Sequence, residues 1–297
     1  MQFPAMMDAN ISLTKEQLFA WREVRYRLQP QHRLRNEREA LEFINDVGIC
    51  LLFSAKGIEL PTLWGAICGE ERALPQHHDD YALGLAWDWK DSIPARGEAL
   101  YGKFLRGKPV FISLDLAPCF YALSENYGEL DDYLEEYRAG RLSEEAKRIY
   151  EALLTTGSMT TGDLRRKCGL SAVRAAGIFD RALTELQMGY KIVKVGIADT
   201  NRWKYCYVYD LFLRRFPGIA AAARQMNQDM AAGTILTRYL HIVGAIRPSE
   251  AGRLFGWDEW RLERTIGQLS KQSRLLVGQR IAGLAGEYLI SVDVFGS

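Results

Sequence analysis

The residues whose types and spacing could do chemistry are scattered along this chain. Gly48–Phe53 reads "GICLLF", an apolar run whose one reactive group is the Cys50 thiol. No Gln, Asp or Glu occurs from Gly48 to Gly57, so no carboxylate or amide there can hold a water. Glu59 is the nearest acid beyond it. "WDWKDSIP" sets Asp91 beside Lys90, after Trp87 and Trp89. Aromatic faces near a lysine and an acid would suit a base flipped out of a duplex, stacked and held. The plainer expectation is that Trp87 and Trp89 alternate along a strand or turn and pack inward. "HHDD" at His77–Asp80 has the right residue types for a metal, but adjacent side chains rarely converge on one ion, and a solvated loop is expected. The five cysteines are scattered, with no Cys-x-x-Cys, which argues for reduced thiols and against a zinc knuckle or disulfide framework. No phosphate-loop or dinucleotide pattern is present. Neither a cofactor nor a metal is therefore expected.

The cations are distributed very unevenly. The whole chain carries a formal net charge of +1, yet residues 1–137 hold 14 basic against 22 acidic residues. Residues 138–217 hold 15 basic against 8 acidic, and residues 218–297 hold 9 against 7. A basic segment inside a neutral chain is an electrostatic footprint for a polyanion. Arg165, Arg166 and Lys167 form one cluster in it. Arg174 and Arg181 lie seven positions apart, so in one helix they would fall on nearly one face. Arg202 and Lys204 flank Trp203.

Three helices and a hairpin would position these residues. Over 149–187, Ile149, Leu153 and Leu154 recur at helical spacing and Gly157 stops the helix. Thr160 or Thr161 can cap a second helix, which Gly169 ends. Ser171 opens a third, with Ala175, Phe179, Ala182 and Leu186 on one face. "YKIVKVGIADTNRWKYCYVYDL" then alternates as strand, turn, strand. This is the order of a winged helix, whose third helix enters a DNA groove while the wing touches the flanking backbone. The pattern returns 87 positions later, with Gly157 answering Gly244, Gly169 answering Gly256, Phe179 answering Ile266 and Gly196 answering Gly283. A constant offset through turns and core positions reads as a tandem duplication.

The expected class is therefore α+β, mainly α, built of tandem winged helices. Residues 138–217 and 218–297 form one module each. Residues 1–137 form an N-terminal α+β module compatible with a diverged winged helix carrying an insertion over 70–100. Helices are expected at "TKEQLFAWREVRYRL", "EREALEFINDVG" and "PTLWGAIC", and a strand at "GKPVFISLDL". No apolar run approaches the roughly 20 residues of a membrane span, and the N-terminus lacks a basic-then-apolar leader, so a cytoplasmic protein is expected.

The order of segments resembles the AlkZ/YcaQ bacterial DNA glycosylases, closest to their shorter AlkZ-related branch. "LTKEQLFAWR" precedes a Gly-x-x step and a "P-x-x-W" helix. "YGKFLRGKPVFISLDLAPCFYAL" and then "TTGDLRRKCGL…FDRALTELQ" follow. The resemblance implies tandem winged helices, excision of alkylated or crosslinked purines, and a Gln-x-Gln or Gln-x-Asp motif just after the glycine. Laid on that motif, Gly48 keeps its place, while Leu51 and Phe53 stand where the polar residues belong. Neither can orient or activate a water. What this implies is binding of double-stranded DNA, damaged duplex included, through Arg165, Arg166, Arg174, Arg181, Arg202 and Lys204, without the family's base-excision chemistry. An active glycosylase would need a displaced group, Asp91 or Glu59. A protein–protein scaffold is the third reading, because winged helices also serve that purpose.

Overall fold

The computed structural model describes residues 13–76, 79–124, 126–200 and 205–295. Helices α1 (Lys15–Arg25) and α2 (Glu37–Val47), strand β1 (Ile49–Leu51), and helices α3 (Leu63–Cys68) and α4 (Tyr81–Arg96) come first. They lead to a hairpin of β2 (Ala99–Leu105) and β3 (Lys108–Ser113), then to α5 (Ala117–Ala122) and α6 (Asp132–Arg138). Next come α7 (Glu144–Thr156), β4 (Met159–Thr160), α8 (Thr161–Lys167), α9 (Ala176–Met188), β5 (Ile192–Ala198) and β6 (Cys206–Leu211). Helices α10 (Phe212–Arg215) and α11 (Pro217–Arg224) connect to α12 (Gln228–Val243), β7 (Ala245–Ile246), α13 (Pro248–Phe255), α14 (Glu259–Lys271), β8 (Leu275–Gln279) and β9 (Tyr288–Ser291). The chain divides into two compact units, residues 1–86 with 229–297, and residues 87–228.

One order of elements, helix, short strand, helix, helix, hairpin, occurs three times along the chain: from α2, from α7 and from α12. In the second and third occurrences the short strand pairs with the far arm of the hairpin, giving antiparallel sheets ordered β4-β6-β5 and β7-β9-β8. The helix starts are set by local caps. Thr14 and Gln17 form a reciprocal capping box on α1. Asn36, Thr62, Ser143 and Thr160 each accept a backbone N–H at the start of α2, α3, α7 and α8. The core under the second occurrence joins Ile149, Leu153, Leu164, Phe179, Leu186, Ile192 and Leu211, each at most 1% exposed.

The repeat has a break in register that the constant offset misses. Gly157 N–H donates to Leu153 and Leu170 N–H to Arg165; Gly244 donates to Leu240 and Trp257 to Gly252, 87 positions on. Past the third helix the match is at 83: Lys191 N–H donates to Leu186, as Arg274 does to Leu269. Tyr190 and Ser273 share a left-handed backbone there, at φ 53° and 55°. Phe179 therefore corresponds to Leu262, and Gly196 does not correspond to Gly283. The two offsets look alike in sequence because four residues make about one helical turn and preserve the apolar face. The extra turn is the 3₁₀ segment Val173–Ala175, so α9 begins at Ala176 and not at Ser171.

Two further expectations change. "WDWKDSIP" is neither strand nor turn but part of α4. Two positions apart on a helix point to opposite sides, so Trp89 is buried at 5% while Trp87 stands 44% exposed. "ALYGKFL", not anticipated as a strand, is β2, paired with β3 from Ala99 opposite Ser113 to Leu105 opposite Lys108.

Candidate functional site

Leu51 lies in β1, 1% exposed, with its N–H bonded to Pro61 O at 2.9 Å. Phe53 is half-buried and packs edge-on against Trp64. Burial pushes the Cys50 thiol far up, so it remains protonated and inert. Gly48–Phe53 is a core segment.

Glu59 is committed to its neighbours. Its carboxylate accepts from Tyr26 Oη at 2.8 Å and pairs with Arg22 at 2.9 Å, while its carbonyl accepts from Tyr239 Oη. Arg22 also donates to the carbonyls of Val243 and Ala245, both at 2.9 Å. Tyr26 is held protonated by burial, and the Glu59 charge adds to this. The cluster fastens α1 to the end of α12. It leaves the Glu59 carboxylate occupied on both oxygens.

Asp91 sits in a different environment. Lys90 is 1% exposed and its Nζ donates to Asp91 Oδ1 at 2.5 Å and to Tyr205 Oη. Tyr205 Oη in turn donates to Asp91 Oδ2 at 2.9 Å. The Lys90 ammonium lies 4.8 Å from the Trp87 ring and 5.2 Å from the Tyr207 ring. Across Tyr207 stands a second lysine, Lys194 of β5, whose Nζ lies 3.8 Å from that ring and 4.7 Å from Tyr101. Burial, then the neighbouring Lys90 ammonium, push the Lys194 pKa down to about 7; Asp91 opposes this and Lys103 adds to it. Among the described residues no acceptor or carboxylate is bonded to the Lys194 ammonium. One carboxylate thus serves two lysines and is taken by Lys90.

The sequence reading did not single out Lys194, though a signal existed. In "KIVKVGI", Lys194 shares the phase of Ile192, which is fully buried. A lysine on the inward phase of an alternating strand is a candidate for a depressed pKa.

The arginines of the basic segment divide into two groups. Arg165 pairs with Asp180 at 3.1 Å and lies 4.7 Å from the Phe179 ring. Arg166 pairs with Asp163, whose carboxyl is held below its usual range by the Thr160 hydroxyl. Arg174 and Arg181 are exposed, with no bonded partner among the described residues. Arg174 lies in the 3₁₀ turn and Arg181 in α9, so the one-helix face argument does not apply to them. Val173, beside Arg174, is 94% exposed. Arg202 and Lys204 lie outside the described residues, as do His77 and His78. Asp80 of the "HHDD" stretch accepts from Leu83 N–H and pairs with Arg72. Among the described residues no group of His, Cys, Asp and Glu could hold a metal, and no helix is long and apolar enough to cross a membrane. A cavity of about 370 Å³ lined by Leu130, Leu213, Pro217 and Ala220 is edged by Arg224, which is already paired with Glu129.

These observations define a mixed α and β protein, mainly helical, with small sheets and exposed arginines at the entry and on the body of one third helix. The chain belongs to the AlkZ-related family, whose model matches residues 34–256. Its fold is similar to that of the Streptomyces sahachiroi DNA glycosylase AlkZ, at 15% identity and a TM-score of 0.58, over 96% of this chain and 72% of that one. Comparison with curated proteins returned no match.

Proposed function

We propose that this chain is a cytosolic DNA-binding protein of tandem winged helices, related to alkylpurine DNA glycosylases and without their usual base excision. The observation that carries this is the exposed pair Arg174 and Arg181, without a bonded partner among the described residues, at the entry and on the body of α9 in the most basic segment of the chain. In a winged helix this is the element that meets the groove. Guanidinium groups there can neutralise phosphates or reach guanine edges without first breaking an internal ion pair. Arg165 and Arg166 would have to exchange a carboxylate for a phosphate, so they are the weaker contacts. Arg202 and Lys204 are proposed as wing contacts on sequence alone. The absence of excision is supported by Leu51 and Phe53, whose side chains offer no hydrogen-bonding atom where the family motif would hold water.

Asp91 favours a second reading, a glycosylase with a displaced carboxylate, because it lies among Tyr205, Lys90 and the exposed Trp87. Glu59 is the poorer candidate because Arg22 and Tyr26 occupy it. One assay separates the readings. A duplex bearing an N7-alkylated guanine is followed for binding at low and moderate salt and for release of the modified base. Salt-sensitive binding without release above the spontaneous rate is the expected result. Release abolished by Asp91→Asn in a folded variant would establish the glycosylase. No binding would leave a protein–protein scaffold.

A further inference from the structure

We propose that Lys194 is an amine nucleophile that captures an aldehyde, the aldehyde being the ring-opened sugar of an abasic site in DNA. The inference rests on the DNA-binding reading for its substrate and on the lysine site for its chemistry. The groups facing Lys194 are Lys90 and Asp91 from α4, Tyr101 and Lys103 from β2, and Tyr207 from β6. Asp91 is consumed by Lys90 and Tyr205, and the Lys103 ammonium donates to Thr184 Oγ1 on α9 at 3.0 Å. Among the described residues, the Lys194 ammonium meets the faces of two tyrosine rings and no bonded acceptor, beside a second cation. Such a setting favours the neutral amine, and at a pKa of about 7 roughly half is neutral at neutral pH. Lys194 is half-buried and not sealed, whereas Lys90 is 1% exposed and hydrogen-bonded twice. Of the two amines, Lys194 is therefore the more open to a substrate aldehyde.

The step balances without an oxidant or a cofactor. The Lys194 Nζ lone pair attacks the C1′ carbonyl carbon, a C–N bond forms, and the carbonyl oxygen takes a proton. With one proton from solvent, the carbinolamine hydroxyl leaves as water, giving an iminium ion linking enzyme and sugar. That cation takes the place of the ammonium against the faces of Tyr207 and Tyr101, which attract it through their ring quadrupoles. The reaction that supplies the substrate is hydrolysis of an N-glycosidic bond, spontaneous from an alkylated purine or catalysed by another enzyme. The chain would then act on what remains after base loss, in keeping with a motif that cannot remove the base.

The test uses the full chain, a duplex with a single abasic site, and borohydride, which reduces the iminium to a stable amine. A covalent adduct mapping to Lys194 by peptide mass spectrometry, with a yield rising from about pH 6 to about pH 8, is the expected result. Lys194→Arg, which keeps the charge and cannot be deprotonated, should lower the yield at least about tenfold while salt-sensitive binding persists. Lys103→Arg should leave the adduct in place. DNA bound without an adduct at Lys194, or an adduct unchanged in Lys194→Arg, overturns the proposal. A second measurement needs no DNA: brief reductive methylation with formaldehyde and cyanoborohydride at neutral pH should modify Lys194 ahead of the exposed Lys167 and Lys271. No such preference also overturns it. Preferential methylation in a chain that fails to bind DNA would uphold the reactive amine and overturn both the DNA reading and the abasic-site assignment.

Discussion

At the scale of single residues, removing the Asp91 carboxylate strands the charge on Lys90. Lys90 is 1% exposed, so Asp91→Asn should cost about 3–5 kcal/mol in denaturant unfolding, the range for breaking one side of a buried pair. Lys90→Met with Asp91→Leu should restore most of that loss, because two well-packed apolar groups leave no charge behind. Lost base release in Asp91→Asn is therefore informative only where the variant remains folded. Lys194 gives a prediction with a defined sign. Its pKa is lowered on folding from 10.5 to about 7, so between those values the unfolded chain binds more protons. Stability from this group then rises with pH across that window and is least below it, where folding must bury the charged form. Lys194→Met should raise Tm over the parent most at about pH 6, with the gain shrinking towards about pH 10. An equal shift at both values would remove the titration argument. At this scale the sequence disclosed residue types but not their partners. Asp91 was visible as a candidate, while its fixation by Tyr205, 114 positions away, is a consequence of folding.

At the scale of elements, the turn after each third helix offers a matched experiment. Tyr190 and Ser273 both hold a left-handed backbone, which costs an L-residue roughly 1–2 kcal/mol. Ser273 is exposed, so Ser273→Gly should stabilise by up to about 1 kcal/mol. Tyr190 stacks on Phe104 at 5.0 Å and meets Tyr121 and Phe212 edge-on. Tyr190→Gly should instead destabilise by about 3–5 kcal/mol, because the cavity outweighs the relief. Ser143→Ala is a second element-scale test. It removes the cap of α7 and a 2.6 Å bond to Glu185 of α9, and should cost about 1–2 kcal/mol by thermal or denaturant unfolding. Elements with caps and a strong period were legible: α1, α2, α3, α7 and α8 begin at the Thr, Asn or Ser that sequence rules favour. Helix α4 was not, because Trp87 and Trp89 imitate strand alternation and Pro94 suggests a break. The 3₁₀ turn was hidden because one extra helical turn leaves the apolar phase intact.

At the scale of the whole molecule, the charge gradient was plain in composition, but composition could not say which cations were already spent. Asp180 lies 15 positions from Arg165 and meets it only once α8 and α9 have folded. The third occurrence of the fold makes a control for the second. It has its own helix, helix and hairpin, yet it lacks the 3₁₀ turn and is nearly neutral. Arg174→Ala with Arg181→Ala, and Arg253→Ala with Arg274→Ala, each remove two exposed cations that have no bonded partner among the described residues. Both double variants lower the net charge equally, so any effect of the general field on DNA encounter is the same. Every phosphate that the protein no longer neutralises reduces the slope of log affinity against log salt by about 0.9. The Arg174 and Arg181 variant should therefore flatten that slope by about 2, and the Arg253 and Arg274 variant by well under 1. Fluorescence anisotropy across a salt series would read both slopes. Equal flattening in the two would mean that DNA is attracted by charge alone, and that the third helix of the basic segment has no privileged place in the interface.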